Sequence, residues 1–389
     1  NLLEAARVYW QLARIYYNLN EKKSAIYAGL QALNLAEQAG PSPLLARLYG
    51  GLSVLIGVIP IHPLAKLYQD RALETAQDTG HLHTLGFVLE ATGIYYLGVG
   101  QWGKMQAQLE RANEIFEQLG DRHQGLTSRF ILAGVFYYQG EFTQSEELFE
   151  DIYTRADHSG AVLQKAWGLL GKGATMLRLG QDNEALNLLE AALSSLSDTA
   201  RPTKIFSYGL LAVAYLRQER LQHAHQAADT AMRLIAQSSP TAVFAFDGYA
   251  NVAEVYLRLW ETTLTDDETP FNSLELGKLA HQSCQALRRF ARTFPIARPK
   301  RYLYQGLYSW LVGNPRQAFS LWQKSLSHAR NLKMRYDEGL AHYEIGRHMP
   351  VGDPVRQQYL DCAEEIFMQL RTPYELSQVE FDQYSIVAA

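Results

Sequence analysis

Residues 100–180 read GQWGKMQAQLERANEIFEQLGDRHQGLTSRFILAGVFYYQGEFTQSEELFEDIYTRADHSGAVLQKAWGLLGKGATMLRLG. Glycine recurs in this stretch every twenty residues, at Gly100, Gly120, Gly140, Gly160 and Gly180. Glycine is favoured just past a helix end because that residue often needs a positive φ, which costs little without a Cβ. The stretch therefore predicts units of about forty residues, each made of two helices joined by a tight turn.

The same period extends over six consecutive repeats. The turns inside the hairpins are predicted near Asn20, Pro60, Gly100, Gly140, Gly180 and Arg220. The breaks between hairpins are predicted near Gly40, Gly80, Gly120, Gly160, Ala200 and Pro240. Because one hairpin cannot bury its apolar face alone, such units must stack on their neighbours.

Small side chains mark one fixed position in each helix of the pair. In the first helices the position holds Ala13, Ser53, Gly93, Ala133, Gly173 and Ala253, with Val213 as the exception. In the second helices it holds Ala32, Ala72, Ala112 and Ala192, with Ile152 and Met232 as exceptions. Bulky residues follow about one turn later, as in Tyr16, Tyr96, Phe116 and Phe136. This alternation predicts close helix packing with large side chains beside small ones.

Two residue pairs resemble the tetratricopeptide repeat. In that repeat the first helix has a small residue followed three positions later by an aromatic residue, and the second helix carries an alanine. The matching pairs are Gly93 with Tyr96 and Ala112 with Phe116. That family has units of about 34 residues, shorter than these. The longer helices, and segments such as residues 112–121 and 363–370, are similar to the C-terminal repeats of large bacterial signalling proteins with an ATPase-linked cyclase, kinase or DNA-binding output. The resemblance implies an all-α fold, a right-handed α-solenoid of about nine antiparallel helix pairs.

Three segments are predicted along the chain. Residues 1–262 form repeats one to six and the first helix of repeat seven. Residues 263–271 form an acidic inserted loop that ends near Pro270. Residues 272–389 form basic C-terminal repeats and a capping helix, continuous with the first segment. The chain starts in a helical pattern without an initiator methionine, so we expect it to be a piece of a longer protein.

A basic segment is the clearest charge anomaly. Residues 276–336 contain no Asp or Glu, whereas the whole chain has a formal net charge of -4. The strongest candidates for a basic patch are Arg288, Arg289, Arg292, Arg298, Lys300 and Arg301. One interpretation is a docking face for an acidic or phosphate-bearing partner. The other is a solvated face paired with acidic groups of neighbouring repeats. No nucleic-acid-reading module accompanies the segment, so we do not expect a nucleic acid partner.

The resemblance also implies that first helices line the concave face of the array. That geometry places on the inner surface Phe87, Glu90, Ile94, Phe130, Tyr137, Trp167 and Leu170. These residues would form an apolar groove for a peptide or a helix. Alternatively, an aromatic stripe at helical spacing is ordinary core between packed helices.

The sequence indicates no chemistry of its own. Residues 168–175 superficially resemble a phosphate loop, but Gly173 stands where a serine or threonine should follow the lysine. The two cysteines, Cys284 and Cys362, lie in different repeats. We therefore predict no catalytic residue, no metal and no cofactor. No apolar run is long enough to span a membrane, and the low cysteine content favours a cytoplasmic location.

The leading hypothesis is a non-catalytic repeat region of a signalling protein that binds a protein or peptide partner, including other domains of its parent chain. A second hypothesis is the small-molecule-sensing repeat domain of a transcription activator, which would need a closed polar and aromatic pocket. A third, an enzyme on an α-solenoid, would need distant acids and histidines to converge in space. The oligomeric state is left open.

Overall fold

The computed structural model describes residues 1–19, 21–59, 61–197, 200–265 and 269–384. The predicted turn residues Asn20 and Pro60, and residues 266–268 of the acidic loop, lie outside this part of the chain. The described residues contain helices and no β-strand. The helices are α1 (Leu2–Asn18), α2 (Lys22–Ala39), α3 (Pro43–Gly57), α4 (His62–Thr79), α5 (Leu82–Val99), α6 (Trp102–Gln118), α7 (Arg122–Gln139), α8 (Phe142–Ser159), α9 (Val162–Arg178), α10 (Asp182–Ser194), α11 (Arg201–Arg217), α12 (Leu221–Ala236), α13 (Phe246–Thr265), α14 (Ser273–Thr293), α15 (Arg298–Leu311), α16 (Pro315–Asn331), α17 (Arg335–His348), α18 (Pro354–Leu370) and α19 (Pro373–Tyr384).

The predicted all-α hairpin repeat fold is confirmed. Consecutive helices pack as hairpins, among them α1 with α2, α3 with α4, α5 with α6, α15 with α16 and α17 with α18. The last helix, α19, packs on α17 and α18. First helices of successive hairpins also touch, as α11 with α13 and α13 with α15 do.

The glycines of the twenty-residue series lie just past the ends of helices. Gly100 and Gly140 have φ values of 73° and 90°, in the left-handed region that favours a residue without a Cβ. Where the period predicts a turn at Arg220, the chain has no glycine, and Glu219 adopts a φ of 57° instead. A residue with a positive φ therefore ends the helix here as well, one residue before the predicted turn position.

Small residues bring the two helices of a hairpin together as predicted. A Cβ on Gly93 would lie 2.8 Å from Leu109, and a Cβ on Gly173 would lie 2.9 Å from Leu189. Ala231 is fully buried whereas Met232, the position predicted by the period, is half-buried. The second-helix register is therefore off by one residue in this repeat.

The chain forms two compact units. Unit 1 consists of Asn1–Leu132, Ser238–Val243 and Arg292–Phe294. Unit 2 consists of Ala133–Gln237, Phe244–Ala291 and Pro295–Ala389. The core of unit 1 contains alanines of the repeat pattern packed with larger side chains such as Leu48, Leu52 and Phe116. The predicted division at residues 263–271 stays a prediction.

In unit 2, the backbones of α11 and α13 are in direct contact at Gly209 and Gly248. A Cβ on Gly209 would lie 2.6 Å from the Cα of Gly248, and a Cβ on Gly248 would lie 2.5 Å from the carbonyl oxygen of Ile205. Only glycine fits at such a contact because the neighbouring atoms are backbone and cannot rotate away. This contact fixes the face that α13 presents to the rest of unit 2.

Candidate functional site

Four of the predicted inner-surface residues lie in unit 1. Phe87 is half-buried, and the guanidinium of Arg47 lies 4.6 Å from its ring centroid. Ile94 and Phe130 are also half-buried. Their contact with a partner stays a prediction.

Glu90 is the fourth of these residues and is buried, with 6% of its surface exposed. Its carboxylate accepts a hydrogen bond of 2.8 Å from the Ser128 hydroxyl. Burial raises the pKa of Glu90 to about 7, because removing a carboxylate from water disfavours the charged form. Glu90 is thus a titrating group inside unit 1.

The three remaining inner-surface residues lie in unit 2. Leu170 is fully buried, so it is part of the core. Trp167 is half-buried and its ring lies 6.4 Å from that of Phe244. Tyr137 is buried, and its hydroxyl accepts a hydrogen bond from Arg178 Nε at 3.1 Å. Through Arg178, Tyr137 therefore contacts a set of charged side chains that the sequence did not predict as part of the site.

We call these charged side chains the ionic network of unit 2. They come from the first helices α9, α11, α13, α15 and α17, and from α19. The members are the cations Arg178, Arg217, Arg258, Lys300 and Arg347 and the carboxylates Asp247, Glu254, Glu261, Asp337, Glu344 and Glu375.

Arg178 occupies the first part of the network. Its Nη1 donates to the Tyr336 hydroxyl at 2.5 Å, and its guanidinium lies 4.1 Å from the centroid of the Tyr336 ring. The Tyr336 hydroxyl in turn donates to Glu375 Oε1 at 2.6 Å. Burial opposes the charge of Arg178, but Tyr137 and Tyr336, followed by the carboxylates of Glu375 and Asp247, raise its pKa well above its usual value. This cation therefore stays charged.

Arg217 holds the capping helix in the same network. It donates to the Glu375 carboxylate and to the carbonyl of Leu177, and it lies 4.3 Å from the ring centroid of Tyr374. The pairs 178–336 and 217–375 are both 158 residues apart in sequence. Helices four hairpins apart, α9 with α17 and α11 with α19, therefore meet inside unit 2.

Two arginines and two glutamates form the second part of the network. Arg258 donates to Glu344 at 2.5 Å and to Glu261 at 2.9 Å. Arg347 completes the ring through Glu261 at 2.8 Å and Glu344 at 2.9 Å. The two arginines lower the pKa of Glu344 to about 2 although burial opposes this. These charges are mutually satisfied.

The third part of the network is less well satisfied. Lys300 Nζ lies 3.4 Å from Asp247 Oδ1, and both side chains are almost fully buried. Among the described residues, Asn251 Oδ1 and Asp337 Oδ1 accept no hydrogen bond, whereas the Tyr138 hydroxyl is a donor to the Asp247 carboxylate. Burial raises the pKa of Asp337 to about 6, opposed by Lys300 and reinforced by Asp247. Buried acceptors without donors are rare in folded proteins and call for an explanation.

A helical pattern in the sequence could have revealed this region. Asp247, Asn251, Glu254 and Arg258 are spaced i, i+4, i+7 and i+11, which places them on one face of α13. The charged stripe was missed because its neighbours Val252, Val255 and Leu257 suggest an ordinary core helix. The partners of the stripe come from α15 and α17, and no local pattern indicates that contact.

Only part of the predicted basic patch is exposed to solvent. Lys300 is buried in the ionic network, so it does not belong to an exposed patch. Arg288, Arg289 and Arg292 are exposed on α14, and Arg298 and Arg301 are half-buried on α15. Burial, together with the positive charges of Arg298 and Arg301, lowers the pKa of His328.

Acidic neighbours neutralise few of the cations of residues 276–336. Within the described part of the chain, ion pairs to Asp or Glu are found for Lys300, Arg330 and Arg335. None is found for the exposed side chains Lys278, Arg288, Arg289, Arg292, Arg316, Lys324 and Lys333. Most of the exposed basic surface is therefore not paired with carboxylates.

The remaining sequence features have structural roles. Residues 168–175 lie inside α9, where Gly168 approaches the backbone of Tyr153 and Gly171 approaches the Phe149 ring. Burial raises the pKa of the Cys284 thiol to about 12. Within the described residues, no group of three or more His, Cys, Asp or Glu side chains could hold a metal ion. In the same part of the chain, no helix combines the length and apolarity needed to cross a bilayer.

Known structures resemble this chain in fold. A Rap protein complexed with competence and sporulation factor matches with a TM-score of 0.61 and 12% identity, covering 97% of this chain and 99% of that one. The apo form of RapI matches with a TM-score of 0.53 and 14% identity, covering 74% of this chain and 98% of that one. An IFIT1 mutant with m7Gppp-AAAA matches with a TM-score of 0.53 and 14% identity, covering 98% of this chain and 83% of that one.

The sequence matches no protein-family model and no curated protein. At these identities the structural matches establish fold alone. Together with the packed hairpins, they define the class: an all-α helical-repeat protein of the tetratricopeptide-like kind.

Proposed function

We propose that this chain is a non-catalytic, regulatory helical-repeat region that binds a protein or peptide partner through the first helices of unit 2. It serves a larger signalling protein, whose other domains are candidate partners. The observation that carries the proposal is the convergence of charged and aromatic side chains from α9, α13, α15 and α17 in one interior region. Side chains that converge from several repeats give an extended binding surface of the kind that repeat proteins use.

The structural neighbours support an interaction role. One of them was solved in complex with competence and sporulation factor, and another with m7Gppp-AAAA. A protein or peptide ligand fits unit 2 best, because the half-buried Trp167 offers an aromatic anchor on a first helix of unit 2.

A peptide selection tests the proposal. The full chain is immobilised, random peptides displayed on phage are selected against it, and the affinity of each selected peptide is measured by fluorescence anisotropy. We expect Trp167→Ala to weaken binding by about tenfold or more, as truncation of an aromatic anchor does. The same variant should keep the helical circular dichroism signal of the wild type.

Phe381→Ala is the matched control. Phe381 is an aromatic side chain of unit 2 with 68% of its surface exposed on α19, outside the ionic network. We expect its replacement to leave the affinity unchanged. Selection of no peptide above background, or equal losses for Trp167→Ala and Phe381→Ala, would count against binding through the first helices.

We also propose that the exposed arginines of α14 dock an acidic protein segment. Arg288 and Arg289 have no carboxylate partner among the described residues, so they are free to attract acidic groups at long range. Polyglutamate binding to the full chain should weaken as salt rises, and it should weaken further in Arg288→Ser/Arg289→Ser. Tighter binding of duplex DNA than of polyglutamate would instead assign the face to nucleic acid.

A small-molecule sensor is the second candidate function. The buried acceptors of Asp247, Asn251 and Asp337, beside the rings of Phe246 and Tyr336, provide the polar and aromatic lining that such a site needs. A thermal shift with metabolites but not with selected peptides would favour this candidate over a peptide-binding region.

A further inference from the structure

An apolar stripe on the exposed side of α1 is the basis of this inference. Its residues are Val8, Leu12, Ile15 and Leu19, which have 61%, 37%, 52% and 63% of their surface exposed. Their spacing of i, i+4, i+7 and i+11 places them on one narrow face of a helix. Leu19 follows the last residue of α1 and keeps right-handed helical dihedral angles. Large apolar side chains clustered on one exposed face indicate an interaction surface.

The same positions are buried in the next repeat. One period of forty residues later, the positions of the first three stripe residues hold Leu48, Leu52 and Leu55 of α3, and all three are buried. In the repeat after that, the first of these positions holds Val88, which is fully buried as well. A face that is part of the core elsewhere in unit 1 is therefore open to solvent on α1.

The contacts of α3 show what covers this face. The second helix of the preceding hairpin, α2, packs on Leu52, because a Cβ added to Gly29 of α2 would lie 2.8 Å from Leu52 Cδ2. Farther along α2, Glu37 Oε1 accepts a hydrogen bond of 2.6 Å from the Tyr49 hydroxyl. The cover is thus a helix with a small residue at one position and a glutamate eight positions later.

The polar contact recurs two repeats farther along the chain. Arg129 of α7 lies two periods after Tyr49, and it donates to the Glu117 carboxylate of α6. In both pairs the glutamate lies twelve residues before its partner. A glutamate of a second helix therefore contacts the next first helix at two junctions between hairpins of unit 1.

The helix α1 carries the receiving half of such a junction. Tyr9 occupies the position of Tyr49, and Leu12 occupies that of Leu52. Tyr9 is half-buried, and within the described residues no hydrogen bond is found for its hydroxyl. The exposed Arg14 donates to Gln11 at 3.5 Å, and no ion pair to a carboxylate is found for it in the same part of the chain. These groups complement a helix with an acidic edge.

We propose that α1 docks an amphipathic helix of a partner protein, with a small residue packed on Leu12 and a glutamate eight positions later at the Tyr9 hydroxyl. This helix packs on α1 as α2 packs on α3, so the interface between hairpins continues beyond α1. The surface lies in unit 1 and is additional to the binding proposed for unit 2. A second copy fits less well, because stripe against stripe would provide neither the small residue nor the glutamate.

The test uses the sequence of α2 as the probe. A fluorescein-labelled peptide of residues 22–39 contains both Gly29 and Glu37. An isolated helix of this length is marginal in water, so a hydrocarbon link replaces the side chains of Leu30 and Asn34, two exposed positions of α2. Binding to the full chain is measured by fluorescence anisotropy. We expect a Kd in the micromolar range, because one helix face buries less than the about 800 Å² per partner of a standard interface.

Two changes in the peptide and one in the chain test the geometry. The Gly29→Leu peptide should bind about tenfold more weakly, because the side chain fills the space that Leu12 needs. The Glu37→Gln peptide should bind about three- to tenfold more weakly, because it loses a charged hydrogen-bond acceptor. Tyr9→Phe in the chain should weaken binding of the original peptide by a similar factor. It should have no further effect on the Glu37→Gln peptide, since the two changes remove the same contact.

A double variant tests the stripe itself. Val8→Ser/Ile15→Ser removes apolar surface at two exposed positions, so it should keep the Tm and the helical circular dichroism signal of the wild type. We expect it to weaken binding of the peptide by about tenfold or more. Leu274→Ser is the matched control, because Leu274 is an apolar side chain with 72% of its surface exposed on α14. It should leave the affinity unchanged.

Several outcomes would overturn the docking site. They are no binding of the linked peptide, equal affinity for the Gly29→Leu peptide, and equal losses in Val8→Ser/Ile15→Ser and Leu274→Ser. A dimer of the full chain in sedimentation velocity that Val8→Ser/Ile15→Ser dissociates would also overturn it, because the stripe would then belong to a second copy. None of these results bears on the selected peptides that depend on Trp167, so the proposed function of unit 2 is tested separately.

Discussion

Glu90 couples the stability of unit 1 to pH. Its pKa in the folded chain is raised from the ordinary 4.5 to about 7 because the carboxyl is buried. An acid whose pKa is raised by folding lowers the free energy of unfolding wherever its carboxyl is charged. This penalty is absent at low pH, where the carboxyl is protonated in both the folded and the unfolded chain. The penalty then grows as pH rises from about 4.5 to 7 and is complete above 7. Unit 1 therefore loses stability from this group on the alkaline side.

We predict that Glu90→Gln stabilises the chain at pH 8 by about 2 kcal/mol and has little effect at pH 5. The amide keeps a hydrogen-bonding group for Ser128 but carries no charge at either pH. The measurement is urea unfolding of both proteins at the two pH values. Glu110→Gln, an exposed carboxylate of α6, serves as the control. A difference between wild type and Glu90→Gln that is the same at pH 5 and pH 8 would show that Glu90 does not titrate in this range.

At the scale of the helix, the contact between α11 and α13 has no room for a side chain. We predict that Gly248→Ala destabilises the chain by about 2 kcal/mol or more, since the new Cβ would press on the backbone of Ile205. Gly103 in α6 has no atom within 4 Å of an added Cβ. We therefore expect Gly103→Ala to stabilise by about 0.5–1 kcal/mol through helix propensity. Chemical denaturation of both variants measures the contrast, and equal effects would disprove the tight contact.

The capping helix α19 is held by a buried charge. Glu375 receives hydrogen bonds from Tyr336 and from Arg217, whose side chain is 2% exposed. Replacing Glu375 by Gln leaves Arg217 buried without its carboxylate, so we predict a loss of about 3 kcal/mol. Glu380→Gln changes an exposed carboxylate on the same helix and should cost almost nothing. Comparable losses for the two variants in thermal unfolding would mean that the Arg217–Glu375 pair does not hold α19.

At the scale of the whole molecule, local patterns predicted the helices well. The glycine period and the alternation of small and large residues act within one hairpin, so they can be read from neighbouring residues. Gly93 against Leu109 is such a contact, sixteen residues apart in sequence. Even where the glycine disappears, at Glu219, the predicted turn lies within one residue of the position with a positive φ.

The ionic network could not be predicted in the same way. Arg178 meets Tyr336 across 158 residues, and Arg258 meets Glu344 across 86. These distances depend on the rotation from one repeat to the next, which the sequence pattern does not specify. For the same reason Lys300 was assigned to a surface patch, although Asp247 pairs with it in the interior.

The central claim is that unit 2 binds its partner through the first helices of its repeats. Hydrogen–deuterium exchange of the full chain, with and without a saturating peptide from the selection, tests this most directly. We predict that the peptide slows exchange in α9, α13, α15 and α17 and leaves the second helices α10 and α16 unchanged. Protection confined to α10 and α16, or no protection at all with a peptide known to bind, would contradict the account.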